Sequence, residues 1–132
     1  MAICDRHGLP LAIHVASASP HETHLVPATL QARFLKQLPT RLIGDRGYDS
    51  DPLDQHLWRR YRIQMIAANR AYRHRHTQDR RCLPRLKRRW KIERLFAWLQ
   101  NFRRLITRFE YYAENFLGMV QLACARILLR HL

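Results

Sequence analysis

The spacing of apolar positions changes along this chain, and each change predicts an element. Met1 to Cys4 and Leu11 to Ser17 read as two short apolar strands. Between them, Asp5-Arg-His-Gly-Leu-Pro10 supplies a glycine and a proline for a turn, so residues 1–18 are expected to form a hairpin. Ser19-Pro-His-Glu22 has the layout of a helix cap, but Pro27 interrupts it. The helix is therefore expected from Pro27 to Gln37, with Leu30, Phe34 and Leu38 as its apolar positions. Arg41 to Gly44 reads as a buried strand ending at Asp45, a strand of residues 41–45. Asp51-Pro-Leu-Asp54 caps a further helix on which Leu53, Leu57 and Tyr61 share a face. Ile63 to Ala68 is the next strand, and residues 69–83, including Arg73-His-Arg-His-Thr77, lack an apolar period and read as a basic loop.

Beyond that loop, Pro84 suits a first helical position, and Ile92, Leu95, Leu99, Phe102 and Ile106 mark the stripe of a core-facing helix over residues 84–107. At 100° per residue, Arg89, Glu93, Ala97, Gln100 and Arg104 fall on a neighbouring stripe, so Glu93 is expected at the edge of the core. A closing helix, residues 113–131, carries Phe116, Val120, Ala123, Ile127 and Leu128. Hairpin, helix, strand, helix, strand implies an α/β fold, a mixed sheet with helices on its faces and a helical pair at the C-terminal end. With 132 residues, 47% of them hydrophobic, the chain has material for one folded domain.

Charge narrows the class of partner. The net charge is +14, and residues 59 to 108 hold 17 of the 24 Arg and Lys against only Asp79 and Glu93. Arginine dominates there, and its guanidinium meets phosphate oxygens two-pronged where lysine acts as a point charge. Such a concentration of like charge repels itself unless a polyanion is present, which points to nucleic acid; a solvated basic face is the plainer reading. Cys4, Cys82 and Cys124 are widely spaced and form no Cys-x-x-Cys pair, so neither a disulfide framework nor a ribbon-type zinc site is suggested, and a reducing cytoplasm fits. Residues 9 to 18 are too short and interrupted for a signal peptide, and Arg126 and Arg130 break the apolar run Phe116 to Leu132, so no membrane segment is expected. His21-x-x-His24 and His74-x-His76 with Cys82 lack the second compact pair of a zinc site and read as exposed loop histidines. Trp58, Trp90 and Trp98 sit beside basic residues, where base stacking competes with core or rim packing.

Within this positive surround two carboxylates stand out, Asp45 at a strand end and Glu93 inside the cationic helix. A strand-end carboxylate facing another from a packed helix can hold one or two Mg²⁺ ions beside a scissile phosphate, where hard oxygen ligands suit the metal. The ordinary alternatives are a turn for Asp45, accepting from the amides that follow, and an i, i+4 pair with Arg89 for Glu93.

Leu-Ile-Gly-Asp45-Arg-Gly-Tyr-Asp-Ser-Asp-Pro-Leu resembles the second-aspartate motif of bacterial insertion-sequence DDE transposases. Arg89-Trp-Lys-Ile-Glu93-Arg-Leu-Phe-Ala-Trp-Leu-Gln-Asn-Phe-Arg-Arg-Leu resembles their glutamate helix. The strand and basic loop between, the Arg108-Phe-Glu-Tyr-Tyr segment and the closing helix match in order. The resemblance implies an RNase H-like catalytic core that cuts transposon ends and joins them to target DNA with Mg²⁺ or Mn²⁺. It implies Asp45 and Glu93 as catalytic metal ligands, and Arg89 on DNA phosphate. With it, Arg85, Lys87, Arg88, Arg103, Arg104 and Arg108 are read as gripping the DNA backbone.

Some positions depart from the family. The tyrosine often found seven before the glutamate is Leu86, and the lysine seven after is Gln100. The strand that carries the first aspartate lies upstream of the hairpin in the family and has no counterpart here, and Asp5 sits in what resembles the hairpin turn instead. The expectation is thus an incomplete sheet whose first central strand is missing, the C-terminal part of a transposase, truncated or encoded downstream of a frameshift. Such a chain should be inactive alone, partnered by DNA and by the missing half or a full-length copy, with homo-oligomers possible and a place at the bacterial nucleoid. The competing class is a non-catalytic DNA-binding remnant that occupies transposon DNA or restrains a full-length copy.

Overall fold

A computed structural model describes residues 1–74 and 81–131. It is a mixed α/β structure with strands β1 (Ala2–Cys4), β2 (Pro10–Ile13), β3 (Arg41–Ile43) and β4 (Gln64–Ile66). The helices are α1 (Glu22–Gln31), α2 (Asp51–Tyr61), α3 (Trp90–Gln100), α4 (Arg103–Ile106) and α5 (Ala113–Leu129), with 3₁₀ segments at Arg46–Tyr48 and Leu83–Arg88. The strands do not join into one sheet. β1 and β2 form an antiparallel hairpin, β3 and β4 a parallel pair, and among the described residues nothing links the two.

The hairpin turn is built by side-chain capping and one left-handed glycine. Asp5 Oδ1 accepts from the amides of His7 (2.7 Å) and Leu9 (2.8 Å), and Gly8 sits at φ +82°, a region that L side chains avoid. Beyond it, alternation along β1 gives each face a separate duty. Ala2 and Cys4 pack against a cluster of Ile13, Leu95, Leu99, Val120, Ala123, Cys124 and Ile127, whereas Met1 and Ile3 pack against a second cluster of Val26, Leu30, Leu53, Leu57, Ile63, Met65 and Ala67. A period of two thus places the hairpin between two cores. From α3, Lys91 Nζ and the Arg94 guanidinium donate to the carbonyls of Arg6 and His7 and tie that helix to the hairpin turn. Arg94 is also flanked by Trp90 and Trp98, each ring centroid 4.9 Å away, so these two tryptophans serve as rim packing for a cation.

Helix α2 follows its sequence signals: Leu53 and Leu57 are buried, Pro52 lies in the first turn and acids precede it, although the cap is Ser50, one residue before the acid expected there. Its end is abrupt because Arg62 takes a left-handed conformation (φ 56°), turning the chain into β4. The closing helix is likewise where periodicity places it, with Val120, Ala123 and Ile127 buried.

Two helices differ from expectation. α1 begins at Glu22, capped by the His21 ring, and contains Pro27. A proline this near the N-terminus removes one hydrogen bond rather than ending the helix, and burial of Val26 and Leu30 outweighs that loss. It then stops at Gln31, because the chain leaves to pair with β2: the Phe34 amide donates to the Leu11 carbonyl at 2.8 Å and Arg33 bridges Ala12. The expected helix of residues 84–107 is divided. Pro84 opens a 3₁₀ turn, α3 ends at Gln100, and Phe102 is extended (φ −93°, ψ 107°) before the short α4. The break keeps Phe102 and Leu105 against the core and turns Ile106 outward, 66% exposed. The basic loop is shorter than residues 69–83, since the 3₁₀ segment starts at Leu83; its residues 75–80, with His76, lie outside the described residues.

Leu57 and Ile106 give opposite expectations for two apolar helix positions. Truncating Leu57, fully buried, to alanine should cost about 2–5 kcal/mol in urea unfolding, whereas Ile106→Ala should stay within about 0.5 kcal/mol. Equal losses would contradict the break at Phe102.

Candidate nucleic-acid interface and carboxylate cleft

A cleft of about 890 Å³ separates the two strand pairs. Met1 to Arg6 line it from β1 and its turn, Pro39 to Ile43 and Asp45 from β3, and Leu25 and Val26 from α1. Arg85, Arg88, Arg89, Lys91, Ile92 and Phe96 contribute from the 3₁₀ segment and α3. The cleft therefore combines an apolar lining with a cationic rim.

Asp45 reaches it because β3 ends at Ile43 and the chain turns into the 3₁₀ segment Arg46–Tyr48, with Asp45 as its cap. Its Oδ1 accepts from the Gly47 amide at 2.7 Å, the turn role that the sequence left open. The glycines on either side are close-packed. A Cβ on Gly47 would meet Asp45 Oδ1 at 3.0 Å and Glu22 Oε2 at 3.4 Å; one on Gly44 would meet the Tyr48 ring at 2.7 Å. Glu22, from the first turn of α1, thus stands beside Asp45, a neighbour that sequence reasoning missed. Its only local signal was the capping pattern around Ser19; its approach to Asp45 is purely tertiary.

Tyr48 completes this corner. Half-buried, its phenol is pushed up to about 12 by desolvation, then by the nearby charges of Glu22 and Asp45 and its hydrogen bond to Glu22. At neutral pH it is therefore a neutral phenol. Asp49, the next acid of the motif, is buried and does structural work. It accepts from the Arg70 amide (2.8 Å) and pairs with Arg73 (2.6 Å), which also reaches Asp51.

Glu93 is exposed on α3 and is not among the residues that line the cleft, although its helical neighbours Arg89, Ile92 and Phe96 are. The structure brings Asp45 together with Glu22 and Tyr48. Among the described residues, no three His, Cys, Asp or Glu side chains are grouped to hold a metal ion. Asp45 and Glu22 carry hard oxygen donors of the kind that Mg²⁺ takes. Asp5, the other acid at the cleft, spends Oδ1 on its hairpin turn. The His21 ring is likewise occupied in capping α1.

The basic residues divide by task. Arg85, Arg88 and Arg89 line the cleft, and Lys87, Arg88, Arg89 and Arg103 are exposed. Arg104 pairs with Glu110 at 3.3 Å, and Arg108 donates to the carbonyls of Glu110 and Tyr111 (2.9 and 3.0 Å) while lying over the Phe116 ring. These last two hold the segment before α5 in place. Among the described residues, no helix is long and apolar enough to cross a membrane.

The family described as "Transposase DDE domain" matches residues 1–128. A relative described as "Putative transposase for insertion sequence element IS402", from Burkholderia cepacia, is 34% identical over 133 aligned positions, covering 95% of this chain and 59% of its own length. The chain thus spans about three-fifths of that relative. No solved structure matches. A family match over nearly every residue, together with that relative, establishes that this chain belongs to the DDE transposases of insertion sequences.

Proposed function

We propose that the chain is the DNA-gripping part of an RNase H-like transposase core acting in the bacterial cytoplasm, with Asp45 and Glu93 as carboxylates for Mg²⁺ or Mn²⁺. The observation that supports it best is Asp45 at a strand end, inside a cleft whose rim carries Arg85, Arg88 and Arg89. Phosphodiesters are anionic and poor electrophiles, so cationic side chains around a carboxylate corner let the backbone approach acids that would otherwise repel it. When bound, the divalent ion supplies charge neutralisation and activates water or a 3′-hydroxyl. The Gly47 amide fixes the Asp45 carboxylate, and the exposed arginines hold transposon ends and target DNA.

In this reading the described residues lack a full set of ligands. The chain by itself binds DNA but does not cut it, and depends on the remaining part of a transposase or on a full-length copy. A second reading, a non-catalytic DNA-binding remnant, is favoured by one observation: Glu93 lies outside the cleft lining while the arginines remain exposed.

Purified chain given Mg²⁺ or Mn²⁺ and a matching transposon end should yield no strand cleavage on a sequencing gel; robust nicking would contradict the dependence on a partner. Divalent-ion binding by calorimetry should be lost in Asp45→Asn with Glu93→Gln while DNA affinity is kept, and unaltered ion binding would favour the remnant. Arg88→Ala with Arg89→Ala should weaken DNA binding across all sequences and reduce the salt slope of log K by about 2, roughly one per phosphate contact. An unchanged slope would place the DNA elsewhere.

A further inference from the structure

Between α4 and α5 the chain turns its aromatic side chains outward. Phe109 is 73% exposed, Tyr111 88% and Tyr112 66%, a run of adjacent rings rather than one stray apolar residue. The segment is held this way from within. Arg108 donates to the carbonyls of Glu110 (2.9 Å) and Tyr111 (3.0 Å), and the Glu110 side chain, only 9% exposed, lies 3.3 Å from the Arg104 guanidinium. With Glu110 drawn inward, Phe109 and Tyr111 on either side of it face solvent. The Tyr111 and Tyr112 rings meet edge to face, with centroids 5.2 Å apart and planes at 87°, an arrangement that leaves ring faces open to a third partner. None of these three aromatic residues lines the carboxylate cleft.

Charge decides what can cover this patch. Within residues 103–112, Arg103, Arg104 and Arg108 are exposed, and the sole acid, Glu110, is the buried one. A second copy packed here by two-fold symmetry would set the same arginines against one another. An apolar protein face would leave those cations without a counter-charge. A strand of unpaired nucleotides supplies both needs, ring faces that stack on aromatic side chains and phosphates that meet the cations. We propose that Phe109, Tyr111 and Tyr112 form a stacking platform for unpaired bases of DNA, with Arg103 and Arg104 beside it for the phosphates. In a duplex the base faces are already stacked on each other, so the platform discriminates by strand state. It does not read base identity, because every base has a π-face. The inference rests on DNA as the partner and adds the form of DNA that this surface takes.

The test uses the whole chain and three fluorescent probes, each about 12 nucleotides long: single-stranded oligothymidylate, an abasic strand with the same phosphates, and a duplex. Oligothymidylate should bind at least about tenfold more tightly than the abasic strand. Tyr111→Ala with Tyr112→Ala should weaken oligothymidylate at least about tenfold and leave the duplex within about twofold, with the circular dichroism unchanged. Tyr111→Phe with Tyr112→Phe should bind as the native chain does, since stacking uses the ring and not the hydroxyl. If the alanine variant fails to fold, the abasic strand decides by itself, because it is compared on the native chain. The proposal is overturned if the abasic strand binds as well as oligothymidylate, if the alanine variant keeps its affinity, or if its loss is equal for the duplex. Self-association that rises with chain concentration and disappears in the alanine variant would also overturn it, because the occupant would then be a second copy. Duplex affinity reports on the transposase reading separately: duplex binding with no preference for bases overturns the platform alone, and binding of no probe overturns both.

Discussion

The interaction on which the remainder depends is the hairpin's service to two cores. Because β1 alternates, Ala2 and Cys4 close the cluster formed by α3 and α5 while Met1 and Ile3 close the one formed by α1, α2 and β4. A shift of one residue in β1 would exchange these sets and unseat both clusters. Asp5 and Gly8 set that register at the turn, and Lys91 and Arg94 hold α3 against it. The cleft and its basic rim are consequences: α3 presents Arg89 and Ile92 to the cleft because Leu95 and Leu99 are committed to the core behind.

Chemically, the cleft places acids amid excess positive charge. Asp45, Glu22 and Tyr48 form a small acidic corner, and arginines on the adjoining elements offset it. Such an arrangement suits a polyanion whose reacting group must approach carboxylates. Asp49 is buried against Arg73 and fixes the chain after β4, leaving Asp45 to face the cleft.

Much of this was legible in the residues. The α/β order, the hairpin and the α2 and α5 faces follow from local spacing, since Leu53 with Leu57 and Val120 with Ala123 and Ile127 obey helical periods, whereas the family was legible only through resemblance. What was not legible arises from competition between local and distant partners. Pro27 looked like a helix start, yet burial of Val26 and Leu30 carries the helix through it; Phe34 fitted a helical face, yet its amide finds β2. Ile106 continued an apolar stripe that the chain abandons at Phe102. Glu22 meets Asp45 only through the packing of α1, and no spacing rule encodes that approach. Glu93, conversely, was expected at the edge of the core and is exposed just beyond the cleft lining.

We propose that the Asp45 corner and the α3 face beside Glu93 serve one divalent cation. Paramagnetic broadening of amide resonances by substoichiometric Mn²⁺ tests it most directly. Selective broadening is expected at Asp45 to Tyr48 and at Arg89 to Phe96, with Val120 to Ile127 spared. Broadening confined to the histidine-bearing loops, or at Asp45 without α3, would contradict it.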